Sequence, residues 1–272
     1  MDIASIGGIE YAWRTAGAES GSPALLVHGY TGNLRNWALT VPALTGAGWR
    51  TLSADNPGHG DSSAPRSFEP YALQNVAADL HELADALDFC PGVVIGHSMG
   101  AAIAEEYAIA HRDHVRALVL VGSAGGASGP EREDLSEDME ALRAARDSGG
   151  MEAVYDLLVA HGKRPEAAHT TAERRALLRR EFARTSFEGF EFGALALRTR
   201  RETLNELATL GCPVLIVHGA DESPMLVRVS DDLAEAMPHA RRVVVDGAGH
   251  SPQFETPDTF NEVLLEFLAD IH

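Results

Sequence analysis

A chain of 272 residues with 45% hydrophobic and 23% charged residues has the ordinary composition of a globular protein, long enough for one large core plus an insertion. A formal net charge of −18 disfavours nucleic acid and anionic membranes as partners, because both are polyanions. No apolar run approaches the roughly 20 residues of a membrane helix, and the acidic start Met1-Asp2-Ile3-Ala4-Ser5 does not read as a secretory signal, so a cytoplasmic location is expected.

From the N-terminus, residues 3–6 and 9–14 flank Gly7-Gly8 and read as an antiparallel hairpin. Short apolar runs over 24–28, 50–54, 92–96, 115–121, 213–218 and 241–246 read as buried strands. They alternate with segments of helical period, the pattern of a mostly parallel sheet covered on both faces. A helix over 71–87 places Leu73, Val76, Ala77, Leu80, Leu83, Ala84 and Leu87 on one face, and further helices are expected over 98–111 and 263–271. Between 123 and 207 the alternation stops. That span holds four helical stretches, 131–146, 151–161, 171–185 and 190–207, and no convincing strand. The expected division is therefore a core of residues 1–122 and 208–272 with an all-helical cap over 123–207, the small-residue stretch 123–130 serving as a hinge. Cys90 and Cys212, each beside a proline next to an expected strand, read as free thiols used for packing.

Chemistry concentrates in Gly96-His97-Ser98-Met99-Gly100, which follows Val93-Val94-Ile95 and opens an alanine-rich helical segment. The stretch reads as a nucleophile elbow, a strained strand-to-helix turn that presents the serine hydroxyl outward. Gly96 and Gly100 leave room for so tight a turn. A serine hydroxyl at its normal pKa needs a base, and the base needs an acid to fix its tautomer and stabilise its cation. His250, in Asp246-Gly247-Ala248-Gly249-His250-Ser251-Pro252, sits at the carboxyl end of the last expected strand, where reacting groups gather in open α/β sheets. The strand before it leads into Gly219-Ala220-Asp221-Glu222-Ser223-Pro224, and there Asp221 and Glu222 compete for the acid. The histidines are scattered without ligand spacing, so no metal is expected.

His28-Gly29, the turn from Asp55 to Ser62, the elbow, the Gly-x-x-acid loop and the Gly-x-Gly-His loop occur in this order. With them the chain resembles the α/β-hydrolase fold superfamily over nearly everything outside the expected cap, in particular its esterase-like serine hydrolases with a helical cap. The resemblance implies an α/β fold with a mostly parallel central sheet flanked by helices, and a triad in the order Ser98, acid, His250. Family spacing puts the acid three residues after the glycine, on Glu222, while Asp221 carries the commoner carboxylate one position early; both stay candidates. It further implies an oxyanion hole built from the backbone N–H groups of Tyr30 and Met99. The implied activity is cleavage of a small carboxylic ester or lactone through an acyl-enzyme, with a small-molecule substrate and no cofactor. Ser98 separates the chain from family members that use a nucleophilic aspartate, the dehalogenases and epoxide hydrolases. A rival within the enzyme class is carbon-carbon bond hydrolysis, or a lyase reaction like that of the menaquinone-pathway synthase, whose group resembles His28-Gly29-Tyr30-Thr31-Gly32 and Pro57-Gly58-His59-Gly60-Asp61-Ser62. A rival of another class is a non-catalytic small-molecule receptor.

Other versatile side chains have plainer readings. His97 is expected to pack with its ring directed away from the nucleophile, and His28 and His59 sit in glycine turns of structural character. Arg174, Arg175, Arg179, Arg180 and Arg184 read as a solvated helix face with ion pairs, against the sharper reading of a pocket for an anionic substrate. Phe182, Phe187, Phe190 and Phe192 fit either an acyl pocket or packing between cap and core, and the Tyr30 ring is a candidate pocket wall or hydrogen-bond donor.

Overall fold

Strand residues that alternate in direction can cover two helical layers only if both faces are apolar, and the central strands here meet that condition. The computed structural model describes residues 1–126, 139–163, 171–237 and 239–271, with the backbone alone at Arg174. They form an eight-stranded sheet from β1 (Asp2–Ile6), β2 (Ile9–Ala16), β3 (Ser22–Val27), β4 (Trp49–Ala54), β5 (Val93–His97), β6 (Ala117–Val121), β7 (Val214–Gly219) and β8 (Arg241–Val245). The spatial order is β1-β2-β4-β3-β5-β6-β7-β8. β1 and β2 close an antiparallel hairpin with Ile6 opposite Ile9, β2 runs antiparallel to β4, and every pair from β4 to β8 is parallel.

Along the sheet, Leu25, Val27, Val94, Leu118 and Ile216 face one layer, formed by α2 (Leu73–Ala86), α3 (Met99–Ala110) and α8 (Pro224–Ala236). Ala24, Leu26, Ile95, Val119 and Leu215 face the other, formed by α1 (Val41–Gly46) and α10 (Pro257–Leu268). The expected one-face stripe on α2 is buried at Leu73, Val76, Ala77, Leu80, Leu83 and Ala84. α8 is an addition: Ser223 caps it by accepting from the Leu226 amide and Pro224 opens it, a start signal that the acid-loop reading of Ser223-Pro224 absorbed. The closing helix begins earlier than the expected 263–271, at Pro257, after the short α9 (Pro252–Glu255).

Between β6 and β7 the elements among the described residues are helices, α4 (Met139–Ala160), α5 (Ala172–Phe182), α6 (Phe187–Thr199) and α7 (Leu204–Leu207). The expected 131–146 and 151–161 meet in α4 across a kink where Gly150 has φ +68°, and the expected 190–207 breaks at Arg200, which turns extended. Residues 127–130 of the expected hinge and 131–138 of the first expected helix lie outside the described residues. Both connections of this helical segment are tied to α3. The fully buried Glu105 carboxylate accepts from the Ser123 hydroxyl, the Gly126 amide and the Thr203 hydroxyl at 2.8–2.9 Å. Beside it Arg201 donates to Glu106 at 2.7 Å. Burial raises the Glu105 carboxyl above the usual range despite those three donors.

Cys212 is half-buried and Cys90 is exposed, so the packing expected of Cys90 does not occur; both thiols are free. Cys90 lies at a loop before β5 whose neighbour Phe89, not the thiol, enters the core. Among the described residues no helix is long and apolar enough to cross a membrane.

Candidate active site

The elbow forms because two backbones pass almost in contact. A Cβ on Gly100 would stand 2.2 Å from the Val27 carbonyl oxygen, and one on Gly96 would stand 2.2 Å from the Gly100 oxygen. Between them Ser98 takes φ +54° and ψ −116°, a strained conformation for a residue with a side chain. It is locked on both sides: its amide donates to the Val121 carbonyl at 2.8 Å, and its carbonyl accepts from Ala101 at 3.0 Å. Ser98 therefore sits at the carboxyl end of β5 beside the end of β6.

His250 and Glu222 arrive from the ends of β8 and β7. The His250 Nδ1–H donates to Glu222 Oε2 at 2.7 Å, with the Glu222 side chain only 3% exposed and that of His250 39% exposed. Burial alone would raise the Glu222 carboxyl; the His250 hydrogen bond and charge, with the Ser223 amide bonded to Oε1, outweigh it and hold the group below the usual range. Asp221 does not join them. Its side chain is exposed, and its contribution is an amide that donates to the Ala248 carbonyl at 2.9 Å. Of the two competing carboxylates, the structure brings Glu222 to His250. With the proton held on Nδ1, the basic lone pair of the ring lies on Nε2.

Gly122, which the sequence reading passes over, makes space for this pair. It has φ +51°, and a Cβ there would lie 3.0 Å from the His250 carbonyl oxygen and 3.2 Å from both Glu222 Oε2 and His250 Nδ1. The signal available in the sequence was a glycine directly after an apolar strand.

One candidate oxyanion donor belongs to the elbow itself and the other to the loop after β3. Met99 is the first residue of α3, so its N–H has no acceptor within the helix. Gly29, one residue before Tyr30, packs so close to the elbow that a Cβ on it would stand 3.1 Å from the Ser98 Cβ. The Tyr30 hydroxyl does not point into a pocket as a donor: it donates to the Phe190 carbonyl of α6 at 2.7 Å, and the two rings stack 5.6 Å apart. α6 comes down over the site at Gly193, where a Cβ would be 3.1 Å from the Tyr30 ring and 3.8 Å from the Met99 sulfur.

His28 Nε2 accepts from the Asn56 amide at 2.9 Å, which leaves Nδ1–H to donate to the Gly29 carbonyl at 2.8 Å. Burial pushes it down to about 4, and His59, whose Nδ1 bonds the Pro57 carbonyl, down to about 3, so both are neutral structural groups in their turns. His97 does more than pack. Its Nε2–H donates to the His250 carbonyl at 2.9 Å and the two rings lie 4.9 Å apart, because the loop bearing His250 folds back over the end of β5. Burial, then the neighbouring His250, pushes His97 down to about 3.

Among the arginines, Arg179 pairs with Asp156 at 2.8 Å and with Glu152, both on α4, and Arg184 pairs with Asp61 at 2.6 Å. The Arg174 side chain lies outside the described residues. Phe182, Phe187 and Phe190 are buried with Leu142, Val154 and Tyr155 in an apolar cluster that reaches Tyr30. Phe192 packs on Tyr71 and Phe68 of the core, with centroids 5.2 and 6.4 Å away. Among the described residues no group of three or more His, Cys, Asp or Glu side chains could hold a metal ion.

A sequence profile of the alpha/beta hydrolase fold matches residues 23–257. Epoxide hydrolase A of Mycobacterium tuberculosis is 27% identical over 298 residues, covering 93% of this chain and 92% of that protein. A Bacillus subtilis protein provisionally named 2-succinyl-6-hydroxy-2,4-cyclohexadiene-1-carboxylate synthase is 25% identical over 279 residues, covering 100% of this chain and 99% of that one. Among solved structures, the enol-lactonase from Burkholderia xenovorans LB400 superposes with a TM-score of 0.81 at 25% identity, covering 99% and 100% of the two chains.

Proposed function

The chain belongs to the alpha/beta hydrolase family, and from that premise we propose a serine hydrolase that cleaves a small carboxylic ester or lactone through an acyl-enzyme. The observation that carries the proposal is the 2.7 Å bond from His250 Nδ1 to a nearly inaccessible Glu222, beside a serine held at φ +54° on a strand-to-helix turn. In the proposed cycle His250 Nε2 takes the hydroxyl proton as Ser98 Oγ attacks the carbonyl carbon. The electron pair moves to the carbonyl oxygen, where the amides of Tyr30 and Met99 receive it; each such donor is worth about 3 kcal/mol. Collapse of the intermediate expels the alkoxide, which takes the proton from His250. Water then repeats the attack on the acyl carbon, with His250 again as base, and releases the acid and Ser98. Glu222 stays ionised and stabilises the imidazolium at both stages. Ser98, His250, substrate and water account for every proton and electron pair, so the proposal includes no cofactor.

The close approach of Gly193 to Tyr30 and Met99 supports a small substrate, and the aromatic cluster reaching Tyr30 supports an apolar acyl group. In this reading the helical segment between β6 and β7 acts as the cap, and Arg179 and Arg184 serve as its ion-paired fastenings.

The test pairs a fluorophosphonate probe with a turnover panel of aryl esters of increasing acyl length, lactones and a meta-cleavage diketone. Labelling that disappears in Ser98→Ala, together with turnover of short esters or lactones, is the expected result. A preference for the diketone would transfer the site to carbon-carbon chemistry, and a folded protein that neither labels nor turns over any of them would leave the receptor reading.

A further inference from the structure

Residues 246–251, which carry His250, form neither helix nor strand, and Gly247 there has φ +71°. A base on such a loop keeps its aim only if the main chain is held, because Glu222 restrains one ring atom and leaves the Cα free to move. Two peptide groups of the loop, the one that follows His250 and the one between Ala248 and Gly249, are each held at both ends. In the peptide joining 250 to 251, the N–H donates to Glu255 Oε1 at 2.8 Å and the carbonyl accepts from His97 Nε2–H at 2.9 Å. In the peptide joining 248 to 249, the N–H donates to Glu255 Oε2 at 2.9 Å and the carbonyl accepts from the Asp221 amide at 2.9 Å. One carboxylate thus spans the loop, and the imidazole next to the nucleophile closes it from the opposite side.

Packing alone does not account for His97. Its Nδ1 is buried without a hydrogen-bond partner, a defect that costs about 1–3 kcal/mol and that an apolar side chain would avoid. The bond to the His250 carbonyl is what the imidazole supplies and an apolar residue could not.

We propose that Glu255 and His97 are positioning residues for His250, gripping its main chain so that Nε2 stays directed at Ser98. The role rests on the serine-hydrolase reading above. Both residues bond main-chain groups of the loop, so removing the grip acts on the chemical step more than on the binding of ester. A misplacement on the scale of 1 Å costs up to about 100-fold in rate.

The experiment measures hydrolysis of p-nitrophenyl acetate by Glu255→Ala, Glu255→Gln, His97→Leu and His97→Gln. Reactive sites are counted with a fluorophosphonate so that unfolded protein drops out, and Ser98→Ala is the control. The expected result is a fall in kcat per titrated site of about 10- to 100-fold in Glu255→Ala and His97→Leu, with KM changed less than about two-fold. Glu255→Gln keeps one acceptor and falls between. His97→Gln restores an N–H donor and recovers part of the loss, and phosphonylation of Ser98 slows in the same proportion as kcat. Unchanged kcat per site in Glu255→Ala or His97→Leu, a KM rise with kcat intact, or His97→Gln no better than His97→Leu would each overturn the assignment. Wild-type turnover in Ser98→Ala is a separate outcome, which removes the acyl-enzyme reading and this role with it.

Discussion

Ser98 holds a backbone conformation that costs roughly 1–3 kcal/mol for a residue with a side chain, and it persists because β6 and α3 both bond to it. Its identity as the nucleophile candidate is legible in the sequence, since glycine at 96 and 100 and an apolar run before them suffice to place the turn. His250 is legible for the same reason, as a histidine in a glycine loop at a strand end. The acid is not. Asp221 and Glu222 occupy one loop, and neighbouring residues there point to opposite sides, so only the path of the chain decides which carboxylate is buried against the imidazole. Glu222→Gln is expected to lower kcat by about 10³-fold or more, while Asp221→Asn, which keeps its backbone amide, stays within about two-fold. Equal losses in the two variants, measured as kcat on the same ester, would dissociate the observed 2.7 Å pair from catalysis.

α3 is the element on which the separate parts converge. It begins at the elbow, presents Met99 to the site, and nearly two turns later offers Glu105 and Glu106 to both ends of the helical segment. The sequence shows an alanine-rich helical segment here; nothing in it reveals that Glu105 is fully buried, because its three donors come from residues 18, 21 and 98 positions away. Glu105→Ala leaves those donors without an acceptor and is expected to destabilise the fold by about 3 kcal/mol. If the helical segment is the cap proposed above, the variant should also raise KM more than it lowers kcat per active site, since the loosened contacts hold that segment and not the Glu222–His250 pair. Urea unfolding and a KM measurement check both parts, and an unchanged midpoint would contradict the buried clamp. α8 and the break at Arg200 mark the opposite limit of periodicity: helix starts and stops follow from local cap chemistry and hydrogen bonding that a hydrophobic stripe does not report.

For the whole molecule, the three histidines buried about the strand ends make stability depend on pH. Burial lowers His28 to about 4 and His59 and His97 to about 3 from the ordinary 6.5. Above 6.5 both folded and unfolded chains hold them neutral. Below it the unfolded chain binds protons that the fold refuses, so stability falls with pH by about 1.4 kcal/mol per pH unit for each histidine until the folded values are reached. Asp55 and Glu105, raised by burial, take up protons in the fold first and offset part of that loss at the acid end. Unfolding free energies measured from pH 7 to 5 should therefore decline, and the decline should be shallower by about one proton in His59→Gln. Superimposable slopes would show that His59 is not held neutral. The sequence by itself determined the α/β architecture, the strand order of appearance, and the candidacy of Ser98 and His250, because periodicity, glycine turns and motif spacing are local properties written along the chain. The tertiary structure alone decided that Glu222 meets His250, that Gly122 clears the space for them, that the Tyr30 hydroxyl is spent on α6, and that His97 and Glu255 close on the loop of the base. The contacts among Gly122, Glu222, His250 and His97 join residues from different strand ends, and that of Tyr30 reaches a helix 160 residues away, so their meeting depends on how parallel strands stack side by side, a relation that no stretch of sequence carries; Glu255 is close in sequence to the loop it bonds, and only the turn of the chain there brings its carboxylate back.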